Sequence, residues 1–233
     1  MRYALDCIVY RDRGPTRGGD TVFLDQFVIT VNYLAPAITL ISSYLAGCIC
    51  FGYYLVLYRT GKDVRNYGSG NPGARNVGRF IGPPGFFLTL IGDAGKGAAA
   101  VALAKYLDLS TAWTMAAIVA VIAGHLWPVQ MQFRGGKGFA TAIGAFLLFD
   151  YQLAVMVASV AVLAMAVLRR TTLGGLVAIA LAPIAVYLTG YSLEVIVGAT
   201  AVSALVLFGH RANLREAFGG EPVIKQKEDE VDK

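Results

Sequence analysis

The feature that most constrains this chain is a series of apolar stretches cut by loops that alternate between strongly basic and nearly uncharged. The stretches cover residues 35–58, 80–107, 111–131, 139–149, 153–168, 173–188 and 193–208. Most approach the roughly 20 residues that a helix needs to cross hydrocarbon. In lipid the backbone must satisfy its own hydrogen bonds, and for apolar runs of this length that means helices. The expected fold is therefore an all-α membrane protein with seven transmembrane helices. Composition agrees, since 15% of residues are charged and 56% hydrophobic, against about 25% charged in soluble domains.

Parity then assigns the loops to sides. If every stretch crosses, one side receives Arg59, Lys62, Arg65, Arg75, Arg79, Arg134, Lys137, Arg169, Arg170, Arg211 and Arg215. The other side receives turns at Asp108, Asp150 and Gly190, with Lys105 nearby. An excess of Lys and Arg marks the cytoplasmic side. This puts the N-terminus outside, the C-terminus in the cytoplasm and the glycine-rich loops on the cytoplasmic face. The stretch 139–149 spans only about 17 Å as a helix. It is expected to begin inside the membrane, with the Gly-Gly-Lys-Gly turn before it dipping in.

The chain divides into residues 1–34, a membrane domain over 35–208 and a polar tail over 209–233. Residues 1–34 carry Arg2, Arg11, Arg13 and Arg17 and no apolar run long enough to span. They lack the form of a signal peptide. Two readings stay open, a disordered tail and a translated stretch upstream of the true start. The net charge of +5 is too small to argue for nucleic acid. Cys7, Cys48 and Cys50 form no CxxC or Cys/His cluster, so neither a disulfide framework nor a metal site is expected.

Three basic loops and one intramembrane pair carry the candidate chemistry. The first loop reads Tyr67-Gly-Ser-Gly-Asn-Pro-Gly-Ala-Arg-Asn-Val-Gly-Arg79. Its glycines let backbone amides approach an anion, and Arg75 and Arg79 offer guanidinium forks to phosphate oxygens. A flexible basic turn would have much the same composition. The second loop holds Arg134-Gly-Gly-Lys137-Gly138, which is no Walker A motif because Gly138 follows the lysine. A turn of this kind opening a helix still offers N–H groups, a positive dipole end and an ammonium to one anion. Asp93 and Lys96 lie three residues apart, on one helix face, and can pair. Charge at that depth is costly and faces a protein interior or a watery cavity. His125, within an apolar span, is a packing residue or a catalyst on equal terms. The third loop carries His210, Asn213 and Glu221, which suit hydroxyl recognition, although a surface amphipathic helix ending in glycine reads the same way.

Taken together these segments resemble the acyl-phosphate-dependent glycerol-3-phosphate acyltransferases of bacterial membranes. The resemblance rests on Gly68-Ser-Gly-Asn-Pro-Gly73, Asp93…Lys96-Gly97, Gly124-His…Trp-Pro…Phe-Arg-Gly-Gly-Lys-Gly…Ala-Thr141 and His210…Asn213…Glu221, in order over residues 36–222. It departs at Arg75, where the family usually has threonine, and at Glu216-Ala217 in a third loop one residue shorter. The resemblance implies a multi-pass enzyme of the bacterial cytoplasmic membrane. It would move a fatty acyl group from acyl phosphate to the 1-hydroxyl of glycerol 3-phosphate, giving lysophosphatidic acid for phospholipid synthesis. No cofactor, metal, nucleic acid or obligate protein partner is expected, and the surrounding partner is membrane lipid.

On this reading Ser69, His125 and Lys137 are the candidates for the chemical step. Asn71, Arg79, Lys96, Gly135, Gly136, Gly138, Thr172, His210, Asn213 and Glu221 are the candidates for substrate contact. The acyl-phosphate headgroup is expected on Gly135–Gly138 and Lys137, and glycerol 3-phosphate on Ser69, Arg79, His210 and Asn213. His125, His210 and a substrate phosphate oxygen all stand as proton acceptor. A transporter of a phosphorylated solute is the alternative, because broken helices and glycine loops serve anions there too. No internal repeat supports it, and among the polar residues only Asp93, Lys96 and His125 lie near mid-span.

Overall fold

The computed structural model describes residues 18–219, with side chains from Tyr33 onward. Residues 1–17, part of the N-terminal extension, and Glu221 lie outside the described residues. Within them every regular element is helical: α1 (Gly18–Cys48), α2 (Phe51–Thr60), α3 (Ala74–Tyr106), α4 (Thr111–Leu126), α5 (Phe139–Phe149), α6 (Tyr151–Leu168), α7 (Thr171–Leu188), α8 (Leu193–Gly209) and α9 (Arg211–Ala217). Five segments are long and apolar enough to cross a membrane: Tyr33–Thr60, Ala74–Tyr106, Thr111–Met131, Tyr151–Leu168 and Thr171–Leu188. Helices α8 and α9 meet at 65° and count as a sixth if taken together, while α5 is a shorter apolar helix.

Three of the boundaries that differ from the sequence reading bear on the site. The first apolar stretch is interrupted at Ile49–Cys50, where Lys96 of α3 and Gln130 from the turn after α4 take the freed carbonyls. The second begins earlier, at Ala74, and turns sharply at Ile81 and Gly82 (φ +78°) before Pro83 and Pro84. Glycine tolerates that φ and the prolines cannot continue the preceding hydrogen-bond ladder. The third ends at Leu126, because Pro128 follows.

Helix α4 is apolar on all sides, as a central helix must be. Its Ile118, Val121 and Ile122 are fully buried, with Val101 of α3, Val186 of α7 and Val202 and Val206 of α8 in the same core. Helix α6 instead turns Val155, Val162, Leu163 and Val167 outward, a face suited to lipid. Two close crossings hold the frame. A Cβ on Gly124 would sit 2.1 Å from the Tyr44 carbonyl oxygen of α1, and one on Gly47 2.1 Å from that of Val121. Gly97 and Gly144 bring α3 and α5 together in the same way. Small residues at such crossings let helix backbones touch where no hydrophobic effect drives association.

Gly124→Val is therefore expected to force α1 from α4 and cost about 1–3 kcal/mol, the usual range for overpacking. Gly95→Ala, a helical glycine with open space around its Cβ position, serves as the control. Thermal denaturation in detergent checks the pair, and equal midpoints for both variants would refute the close-contact account.

The basic loops gather at one end. Arg65 donates to the carbonyls of Met131 (2.9 Å) and Arg134 (3.4 Å), Arg75 to the hydroxyls of Thr171 and Thr172, and Lys137 to Asn213 Oδ1. The opposite end is closed by Lys105 on the Leu148 and Phe149 carbonyls and by Tyr191 on Asp150. At 1.5 Å per residue, Lys96 lies about 14 Å inside that opposite end. Helix α5 rises about 16 Å from the same end, so Gly138 at its start reaches the depth of Lys96.

Candidate active site

The deepest polar group is a cluster of Asp93, Lys96 and His125, exposed by 2%, 6% and 3%. Lys96 Nζ lies 2.9 Å from Asp93 Oδ1 and 2.7 Å from His125 Nδ1. It also donates to the Gly47 and Ile49 carbonyls at 3.0 and 2.7 Å. Those oxygens are freed by the break between α1 and α2, and Gln130 Nε2 takes the Cys48 oxygen between them at 2.7 Å. Buried carbonyls without partners are costly, so the side chains of Lys96 and Gln130 make this break tenable. An ammonium has donors only, so His125 Nδ1 accepts and the ring proton belongs on Nε2. A Cβ on Gly136 would sit 2.0 Å from that Nε2, so the loop backbone lies directly on the ring.

Two expectations change here. Lys96 spends its three N–H groups on protein acceptors, which leaves none for a substrate. His125 is buried between Lys96 and Gly136, where its ring supports the second loop. The same loop uses its first glycines internally, with the Gly136 amide on the His125 carbonyl (2.9 Å) and the Gly135 amide on that of Leu126 (3.1 Å). Those two amides are thus unavailable to the phosphate expected on Gly135–Gly138. Lys137 and Gly138, with φ +81° at the cap of α5, stand beyond the paired segment.

Around Lys137 the second and third loops meet. Its ammonium donates to Asn213 Oδ1, and Gly209 packs on its backbone, where a Cβ would fall 2.9 Å from the Lys137 oxygen. Burial, the largest influence, joins Arg75 in holding the Lys137 ammonium below the ordinary lysine range, against the pull of Glu216. His210 is buried and edge-on to Phe139 of α5. Its Nδ1 is 2.8 Å from the Val206 carbonyl. A carbonyl only accepts, so Nδ1 carries the proton and Nε2 is left with a lone pair. Lys137, Asn213 and His210 are therefore brought together.

The first loop joins from the side. Asn76, buried, donates to the Val64 and Tyr67 carbonyls (3.3 and 3.1 Å) and accepts the Ser69 amide at 3.1 Å. Ser69 itself is exposed, and Asn71 lies against Gly73. Burial favours the neutral Asp63 acid, but its hydrogen bonds to Arg65 outweigh this and the carboxyl falls below its usual range. The Asp63–Arg65 pair, at 2.7 Å, fixes the guanidinium that reaches the second loop. Asn76, Asp63, Arg65 and Gln130 were missed in the sequence. Only the alternation Asp63-x-Arg65 gave a local signal, and it is weak. Arg79 is exposed and lines, with Arg75, Gly78, Pro83 and Phe86, a cleft of about 410 Å³ in the corner of the α3 turn. Thr172 is engaged by Arg75.

This end of the molecule therefore holds Lys137, Asn213 and His210 together, with the Arg75 charge felt at Lys137 and Arg79 one turn further along α3. The family model described as glycerol-3-phosphate acyltransferase matches residues 37–220. Glycerol-3-phosphate acyltransferase 1 of Desulfitobacterium hafniense is 44% identical over 177 residues, covering 76% of this chain and 88% of that one. A protein of the same name from Bacillus cereus is 38% identical over 172 residues, 74% of this chain and 94% of its own. Crystal structures of PlsY (YgiH), an integral membrane glycerol 3-phosphate acyltransferase, also align. Its glycerol 3-phosphate form gives a TM-score of 0.72 at 31% identity over 84% of this chain and 98% of that one. Its lysophosphatidic acid form gives 0.69 at 29%, over 84% and 97%. The chain belongs to the glycerol-3-phosphate acyltransferase family.

Proposed function

We propose that this protein transfers a fatty acyl group from acyl phosphate to the 1-hydroxyl of glycerol 3-phosphate, giving lysophosphatidic acid and phosphate. The observation that carries the reading is the meeting of Lys137, Asn213 and His210 beside two arginines, in a chain of this family. Acyl phosphate has a good leaving group, so the protein needs mainly to position two anionic reactants and neutralise charge. Lys137 and Arg79 serve the phosphates, while Asn213 and His210 hold the acceptor with Ser69. The acceptor hydroxyl attacks the acyl carbon as the bond from that carbon to the phosphate oxygen breaks. Its proton passes to the departing phosphate or to His210 Nε2. No step calls for a metal or cofactor.

The same reading assigns seven crossings, with α5 and α8 as the shorter ones, the N-terminus outside and the site on the cytoplasmic face of a bacterial inner membrane. The transporter alternative loses its footing, because Asp93, Lys96 and His125 near mid-depth are occupied with one another and with α1. The test is acyl transfer by purified protein, offered labelled glycerol 3-phosphate with palmitoyl phosphate and, separately, with palmitoyl-CoA. Lysophosphatidic acid from palmitoyl phosphate alone is expected, and product only from palmitoyl-CoA would overturn the donor.

A further inference from the structure

Arg75 sits in the first turn of α3, one turn before Arg79. The bend at Ile81–Gly82 folds this short first segment against the long one, so that a Cβ on Gly78 would lie 2.9 Å from Phe86 Cβ. The cleft in that corner is lined by Arg75, Gly78 and Arg79 from the short segment and by Pro83 and Phe86 from the segment after the bend, which forms its apolar wall. Its apolar wall continues along α3 into Phe87, Leu88 and Ile91, exposed by 56%, 51% and 67%. The cleft thus grades from cationic to an outward apolar face, which suits one anionic head carrying one hydrocarbon chain. A small, wholly polar molecule such as glycerol 3-phosphate gains nothing from the second wall.

The state of the guanidinium adds a second, independent observation. Two of its N–H groups rest on the hydroxyls of Thr171 and Thr172. Both acceptors are neutral, and no carboxylate pairs with Arg75 among the described residues. Its charge also repels the ammonium of Lys137. Five donors in a planar fork, with only two used and the charge uncompensated, form a site for a planar or tetrahedral oxyanion. A phosphoryl group adds its own negative charge to such bonds and accepts two of them in parallel from the fork, so it displaces the threonines.

Resting on the function proposed above, we infer that Arg75 binds the phosphoryl group of the acyl donor, its chain leaving past Phe86, and sets the affinity for that donor alone. The threonine pair parks the guanidinium when the donor is absent. Steady-state kinetics with palmitoyl phosphate and glycerol 3-phosphate varied in turn test this in Arg75→Gln and Arg75→Lys. Glutamine keeps an amide for the threonines and loses the charge. It is expected to raise KM for palmitoyl phosphate about tenfold or more, the worth of one hydrogen bond to a charged group. KM for glycerol 3-phosphate should stay within about twofold, and lysine should recover part of the loss because a point charge lacks the fork.

A rise confined to glycerol 3-phosphate would overturn the inference. So would a fall in kcat with both KM values unchanged, the signature of a purely structural clasp. Titration with a non-reactive alkyl phosphonate, in parallel, keeps the two proposals separate. If the unaltered protein makes no product with either donor, the functional reading fails. The phosphonate, bound about tenfold more weakly by Arg75→Gln or equally by both proteins, still decides the role of Arg75.

Discussion

Replacing Lys137 with alanine should lower kcat by about 100- to 1,000-fold, the usual worth of one preorganised group that stabilises developing charge. The protein should remain inserted, with an unchanged thermal midpoint. The side chain makes one protein hydrogen bond, to Asn213, and its loop is held by backbone bonds from Gly135 and Gly136 that do not involve it. Loss of activity without loss of fold is therefore what the geometry predicts. Asn213→Ala should cost less, since Asn213 orients the ammonium and contributes no charge. Full activity in Lys137→Ala, measured as labelled lysophosphatidic acid, would move the anion site elsewhere. Equal losses in both variants would mean that orientation, rather than charge, is what Lys137 supplies.

Lys96→Ala is expected to produce the largest stability effect, about 3–5 kcal/mol, because it strands a buried partner charge. Asp93 would lose its ammonium, and the Gly47 and Ile49 carbonyls would lose their donor within the membrane interior. Much of the damage comes from the uncompensated carboxylate, so adding Asp93→Asn to Lys96→Ala should recover part of the thermal midpoint. The double-mutant cycle isolates that coupling. A midpoint in Lys96→Ala equal to that of the parent protein would contradict the account. So would a double variant less stable than the single one.

These effects bear on how much the amino-acid sequence could reveal. Helices α4, α6, α7 and α8 were legible because each is a long apolar run bounded by polar residues. The bounds of α5 coincided with its reading because Gly138 and Asp150 flank it. The interruption of the first span was not legible. Its sequence there, Leu45-Ala-Gly-Cys-Ile-Cys-Phe-Gly52, is as apolar as any helix, and the side chains that satisfy the break, Lys96 and Gln130, come from far along the chain. The turn in α3 does have a local cause, Gly82-Pro-Pro84, which lies inside a single apolar stretch.

In the site, the pairing of Asp93 with Lys96 followed from helical spacing. Their joint contact with His125 did not, since it depends on how α3 and α4 cross. Lys137, His210 and Asn213 were identified by chemistry and by family likeness, whereas their meeting depends on Gly209 letting the third loop approach. The amides of Gly135 and Gly136 looked free in one dimension. Only the end of α4, folding back over them, shows that they are used.

The break between α1 and α2 also has a consequence for biogenesis. The carbonyls of Gly47 and Cys48 leave the ribosome 49 and 82 residues before the lysine and glutamine that satisfy them. At about 5–20 residues per second, the later partner arrives roughly 4–16 s behind the first helix. Until then the nascent span carries an open polar gap that lipid cannot fill. Water or the insertion machinery must shelter it, so the first helix should be retained there and released into the bilayer together with α3 and α4.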